Sequence, residues 1–192
     1  MPSAAGADEV GDVQPRIPRQ AVDGGSNRAE PGVGLSAELA TVVAGARRRA
    51  VRDGDRQIDT AHLLHSLLES GPDVRDVFEG DAQVARLLGY LVQRSIGYGL
   101  RWQSTVEDSG ALPVVAGADW SPAAATAMDK AYERARLHGE SGPRCVDLLA
   151  ALAADSECRA VEVLGRAGVD AGRLLLRIEA GSECVGGAES GR

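Results

Sequence analysis

His62 and His65 stand three residues apart in a leucine-rich stretch, with Asp59 and Glu69 about one turn to either side. Two imidazoles at i and i+3 on a helix, with carboxylates close by, are a donor set that a divalent metal could use. Against that chemistry, no second set of ligands faces the pair, and the later stretch that repeats this one has no matching histidines. The residues are therefore read as capping or packing histidines, with no metal or other cofactor expected. The alternative kept beside this is a helical metal-dependent protein or enzyme using His62 and His65.

Other reactive residue types lead to weaker chemistry. Arg47, Arg48, Arg49 and Arg52 form a basic cluster that could meet phosphates or an acidic partner. Three consecutive helical residues spread over about 200° of arc, so they cannot all face one ligand. A solvated helix face near a C-terminus, where cations favour the macrodipole, is the preferred reading. Cys145, Cys158 and Cys184 are odd in number, widely spaced and free of any C-x-x-C pattern, as reduced thiols would be. No nucleophile elbow, no paired catalytic carboxylates and no cofactor fingerprint occur, so the chain is not expected to be an enzyme.

Composition narrows the setting. The 192 residues are 44% hydrophobic but only 3% aromatic, so a core must be built from Leu, Val and Ala, which favours helices. A formal charge of −7 argues against a general nucleic-acid or anionic-membrane surface. No apolar run approaches the roughly 20 residues of a membrane span, and the start lacks the order of a signal peptide. The expectation is a cytoplasmic protein that binds neither nucleic acid nor membrane.

The elements that would position these residues follow from periodicity. Residues 1–34 hold four prolines and six glycines with hardly an apolar cluster, and read as a disordered arm. Leu35, Leu39, Val42, Val43, Ala46 and Ala50 then recur at helical spacing, with Ser36 as N-cap and Gly54 as stop. After Ile58, Thr60 is read as the cap of a second helix carrying Leu63, Leu64, Leu67 and Leu68. Val74, Val77 and Phe78 suit a short third helix, and Asp81 can cap a fourth with Val84, Leu87, Leu88, Leu91 and Val92.

Shifted by 85 residues, the opening recurs: Trp120, Ala124, Ala127, Met128, Ala131 and Ala135 repeat the first stripe, Ser121-Pro122 repeats the cap, and Gly139 repeats Gly54. Leu148, Leu149 and Leu152 match Leu63, Leu64 and Leu67. Val161, Val163 and Leu164 follow, and Asp170 caps a last helix with Leu174, Leu175 and Ile178. The organisation is a repeat at 35–97, a connector at 98–119, a second repeat at 120–180 and a flexible tail at 181–192.

Ile58, Asp59, Thr60, Ala61, His62, Leu63 and Leu64, followed by Ser66, Leu67 and Leu68, resemble the "I-G-T-E-H-L-L…L-L" signature of the amino-terminal repeat domain of Clp unfoldase chaperones. Pro143, Arg144, Cys145, Val146, Asp147, Leu148 and Leu149 resemble it again. The resemblance implies an all-α fold of two tandem four-helix repeats with pseudo-two-fold symmetry. It also implies a domain that receives substrates and adaptors for an ATP-driven unfoldase. No G-x-x-x-x-G-K-[ST] phosphate loop occurs, so ATP binding is not expected and the chain reads as the recognition part alone.

Some members of that family hold phosphorylated arginine with the signature glutamate of each repeat. Ala61 and Val146 stand at those positions, so the charge-assisted pairing is missing and phosphoarginine binding is not expected. Glu38, Leu39 and Ala40, and Ala123, Ala124 and Ala125, replace the basic residues members often carry early in each first helix. A bound peptide would then rely on apolar or backbone contacts. Candidate partner-binding residues are Leu35, Ser36, Thr60, His62, Trp102, Trp120 and Ser121. Trp120 also suits a core anchor, and Trp102 has no counterpart in the first repeat. The expected partners are proteins: a Clp unfoldase, its adaptors or its substrates. A tethered structural module outside that system is the further alternative.

Overall fold

The computed structural model describes residues 35–95 and 119–186. The arm at 1–34 and most of the connector, including Trp102, lie outside the described residues. The described chain forms α1 (Ala37–Asp53), β1 (Gln57–Ile58), α2 (Thr60–Ser70), α3 (Pro72–Asp76) and α4 (Asp81–Ser95). It continues with β2 (Asp119–Trp120), α5 (Pro122–Leu137), α6 (Cys145–Ala153), α7 (Arg159–Arg166) and α8 (Ala171–Gly186). Four helices are thus followed by four more in the same order, and the architecture is all-α.

The leading helices start and stop for the same local reasons. Ser36 and Ser121, both extended, accept from the amides of Leu39 and Ala124 at 3.1 Å, satisfying one orphan donor of α1 and of α5. Gly54 at φ 75° and Gly139 at φ 73° close the two helices in a left-handed turn that a Cβ would strain.

α2 and α6 occupy the centre. Leu63, Leu64, Leu67 and Leu68 of α2 and Leu148, Leu149 and Leu152 of α6 are all fully buried, and nearly every residue of both helices lies inside. A helix apolar on all sides must be wrapped by others, and α1, α4, α5 and α8 show one buried stripe each. The wrapping crosses between repeats: α2 packs on α7 and α6 on α3. Each fully buried leucine contributes about 1.5–3 kcal/mol, and both sets belong to one continuous core.

Several boundaries differ from the sequence reading. The N-cap of α2 is Asp59, whose carboxylate accepts from the His62 amide at 2.8 Å, and Thr60 is the first helical residue. Asp81 is likewise inside the first turn of α4, with Gly80 before it accepting from Gln83 N–H at 3.0 Å. α3 stops at Asp76, so Val77 is its C-cap and the buried Phe78 lies beyond it. α8 runs to Gly186, past the boundary drawn at 180. The two-residue strands have no periodicity to announce them. They pair in parallel, Gln57 with Asp119 and Ile58 with Trp120, and Ser121 N–H donates to Ile58 C=O at 2.9 Å.

Candidate functional site

The residues with the most chemistry gather where α1 ends and α2 begins. The turn at Gly54 places Asp53 and Asp55 on either side of the glycine, facing the first turn of α2. His62, on that turn, is 7% exposed. Its Nδ1 lies 2.9 Å from Asp59 Oδ1, and its Nε2 lies 3.3 Å from Asp55 Oδ2 and 3.8 Å from Asp53 Oδ2. One imidazole thus sits among three carboxylates.

Electrostatics follow from that count. Burial works against the imidazolium, but the hydrogen bonds and charges of Asp55 and Asp59 outweigh it and raise the His62 pKa to about 9. Burial also works against ionised Asp59, and the bonds to His62 and Arg159 outweigh it, lowering its pKa to about 2. In the charged ring Nδ1–H donates to Asp59 and Nε2–H points at Asp55. When neutral at Nδ1, the ring can instead accept from the Asp59 amide at 3.2 Å, completing a capping box.

The remaining carboxylate oxygens are held from outside the cluster. Asp53 Oδ1 accepts from Ser95 Oγ at 2.6 Å and from Arg52 Nε at 3.1 Å. Asp59 Oδ2 accepts from Arg159 at 2.8 Å, which carries the cluster onto α7 of the second repeat. Next to it Thr60 Oγ1 accepts from Ala160 N–H at 3.0 Å. Thr60 is therefore a capping residue, but for α7, whose own N-cap Cys158 makes no side-chain cap bond.

In the second repeat three of the four equivalent positions change chemistry, while Glu140 keeps the acid of Asp55. Asp147 stands at the place of His62, His138 at that of Asp53 and Arg144 at that of Asp59. Asp147 is fully buried and its Oδ2 accepts from Arg144 N–H at 2.9 Å. Its Oδ1 has no hydrogen-bond partner among the described residues, with Arg134 Nε at 3.7 Å and His138 Nδ1 at 3.9 Å. Here a carboxylate sits beside two guanidinium groups and an imidazole, with Glu140 paired to Arg144 at 3.1 Å.

His65 belongs to neither centre. Its Nε2 lies 3.1 Å from Glu69, beside Arg49, and burial together with the Arg49 charge lowers its pKa to about 4. The histidine pair that spacing suggested is divided between two sets of partners. Arg49 also leaves the solvated basic face: it donates to Gly45 C=O and Ser66 Oγ and pairs with Glu69, while Arg47, Arg48 and Arg52 stay exposed.

Among the candidate partner contacts, Thr60, His62 and Ser121 are buried and make hydrogen bonds inside the fold. Ser36 is exposed as a cap, Leu35 is half-buried against the core, and Trp102 lies outside the described residues. Trp120 packs against the core as a partly buried anchor, its indole Nε1 having no hydrogen-bond partner among the described residues. Cys145 is buried at the start of α6, where burial and the nearby carboxylates of Asp73, Glu38 and Asp147 push its thiol to about 12. Sequence reasoning missed Asp53, Asp55 and Arg159, for which the only available signal was acidic residues beside a helix-stopping glycine.

No family model matches the chain, and no curated protein sequence matches it. Solved structures do. The N-terminal domain of the caseinolytic protease associated chaperone ClpD from Arabidopsis thaliana is similar with a TM-score of 0.60 at 16% identity, over 79% of this chain and 96% of that one. A structure from preliminary structural investigations of a malarial protein secretion system is similar with a TM-score of 0.57 at 14% identity, over 78% of this chain and 95% of that one. At these identities the likeness concerns the fold: this chain has a Clp N-terminal-domain-like, all-α fold.

Proposed function

We propose that the chain is a non-catalytic protein-binding module acting in the cytoplasm as an accessory factor or decoy in Clp-dependent proteolysis. The observation that carries this reading is the coverage of the match: nearly the whole N-terminal domain of a Clp chaperone, 96% of it, aligns with this chain. Two features support it. The 192 residues hold no phosphate loop, so these residues offer recognition and no motor. Exposed apolar side chains, Leu137 at 84%, Leu176 at 71% and Val51 at 67%, offer the contacts a partner would use in place of the missing signature glutamates.

The test is a pull-down from the host lysate with tagged full-length chain, beside a Trp102→Ala variant. It is followed by a degradation assay with the purified Clp unfoldase and peptidase. Recovery of Clp subunits or adaptors is the expected result, with faster degradation for an accessory factor and slower degradation for a decoy. Neither capture nor any change in degradation overturns the proposal. Loss of capture with the variant places the contact on the connector.

A further inference from the structure

We propose that the crevice between the starts of α4 and α8 binds a carboxylate group of a polypeptide partner, held by the side-chain amide of Gln83 and the guanidinium of Arg173. The crevice holds a pocket of about 60 Å³ whose polar lining is Glu79 and Gln83 from the first repeat and Asp170, Arg173 and Arg177 from the second. That space admits a group of a few heavy atoms. Gln83 points to what the group must be. It is 5% exposed, and Glu79 N–H donates to its Oε1 at 2.8 Å, which fixes the other end of the amide as the donor. That Nε2 makes no hydrogen bond among the described residues, so the pocket wall carries an unused donor on a side chain that is otherwise buried and held in place.

The four charged side chains of the lining are not equally free. Glu79 pairs with Arg177, which also donates to Val77 C=O at 3.2 Å. Asp170 caps α8, its Oδ1 accepting from Arg173 N–H at 2.8 Å, and its charge is offset there by the helix dipole. The Arg173 guanidinium has neither an ion pair nor a side-chain hydrogen bond among the described residues. The donors left over, on Gln83 and Arg173, call for a ligand that only accepts, and a carboxylate does so with two oxygens, one for each. An acidic side chain and a C-terminal carboxylate share this chemistry. The site goes beyond the Clp reading, since it requires no Clp component as the partner.

The experiment titrates the isotope-labelled full chain with three peptides and follows the Gln83 side-chain amide by NMR. The peptides are acetyl-trialanine with a free C-terminal carboxylate, the same peptide amidated, and an amidated acetyl-Ala-Glu-Ala. A saturable shift of the Gln83 signals is expected with the first or the third peptide, and none with the amidated trialanine. A response to the first alone assigns a C-terminus, and a response to the third alone assigns an acidic side chain. Arg173→Gln, at an exposed position, is expected to weaken binding at least about tenfold. Arg48→Gln, on the exposed face of α1, is expected to bind as the parent does. The proposal is overturned if no peptide shifts Gln83, if the amidated trialanine binds as tightly as the other two, or if Arg173→Gln binds as the parent does. Capture of Clp subunits is scored separately, so this site can fail while that reading stands.

Discussion

The first turns of α2 and α6 occupy equivalent places in the two repeats and are closed with opposite charges. In the second repeat an acid at the third helical position, Asp147, reaches back to the Arg144 amide, where a negative charge also suits the helix dipole. In the first repeat the acid stands one step outside, at the N-cap Asp59, and the third position holds a histidine. An imidazolium there opposes the dipole, and the carboxylates of Asp53, Asp55 and Asp59 compensate. A shared backbone requirement, satisfying the free amides of a buried helix start, therefore does not dictate the sign of the charge that meets it. Around that position Asp59 is replaced by Arg144, whereas Asp55 is matched by Glu140 and keeps its sign.

The severest way to break the comparison is to transpose one member alone. His62→Asp adds a fourth carboxylate to a buried cluster and is expected to destabilise the fold by about 3–5 kcal/mol, measured by urea denaturation. Asp147→His, which sets an imidazole among Arg134, His138 and Arg144, should cost a similar amount. A cost below about 1 kcal/mol for either would show that the centres are not electrostatically closed.

The next effect concerns the bond that only the first repeat makes. Thr60→Ala leaves the buried Ala160 amide without its acceptor and should cost about 1–2 kcal/mol. Cys145→Ala, at the equivalent position, removes a buried thiol with no capping bond and should cost less. Equal losses would contradict the asymmetry.

Acidity separates the centres more gently. His62 has its pKa raised from 6.5 to about 9, so its stabilisation is complete below 6.5 and disappears as pH rises through about 9. Asp59 is lowered from 3.8 to about 2, so its contribution holds above 3.8 and disappears as pH falls toward 2. Thermal melts in chelator-treated buffer between pH 6.5 and 9.5 should show falling stability in the parent and in His138→Ala, with a flatter profile in His62→Gln.

The smallest contrast is between the two serine caps. Ser121 is fully buried and Ser36 is exposed, so Ser121→Ala should cost about 1–2 kcal/mol and Ser36→Ala about 0.5–1 kcal/mol by the same denaturation measurement.

These contrasts also mark what was legible in the sequence. The helix order, the serine caps and the stops at Gly54 and Gly139 are local, set by residues within four positions of one another, and the sequence reading found them. Thr60 was assigned to the wrong helix because Asp59 and Thr60 are both good caps, and the choice depends on Ala160, 100 residues away. The His62 centre stayed hidden for the same reason. Its carboxylates come from the end of α1, the turn after it and the N-cap of α2, and its outer cation from α7, while helical spacing points to His65 instead.

The bonds from Asp59 and Thr60 to α7, with the Ile58 to Ser121 link beside them, join segments separated by 63 to 100 positions. Such pairings carry a higher loop-closure entropy than contacts within one helix. The start of α7 in one half is completed by a side chain from the other, so neither half can reach its final state on its own. The two halves share one continuous core, so severing the chain between them is expected to leave two pieces each exposing an unfinished helix packing face.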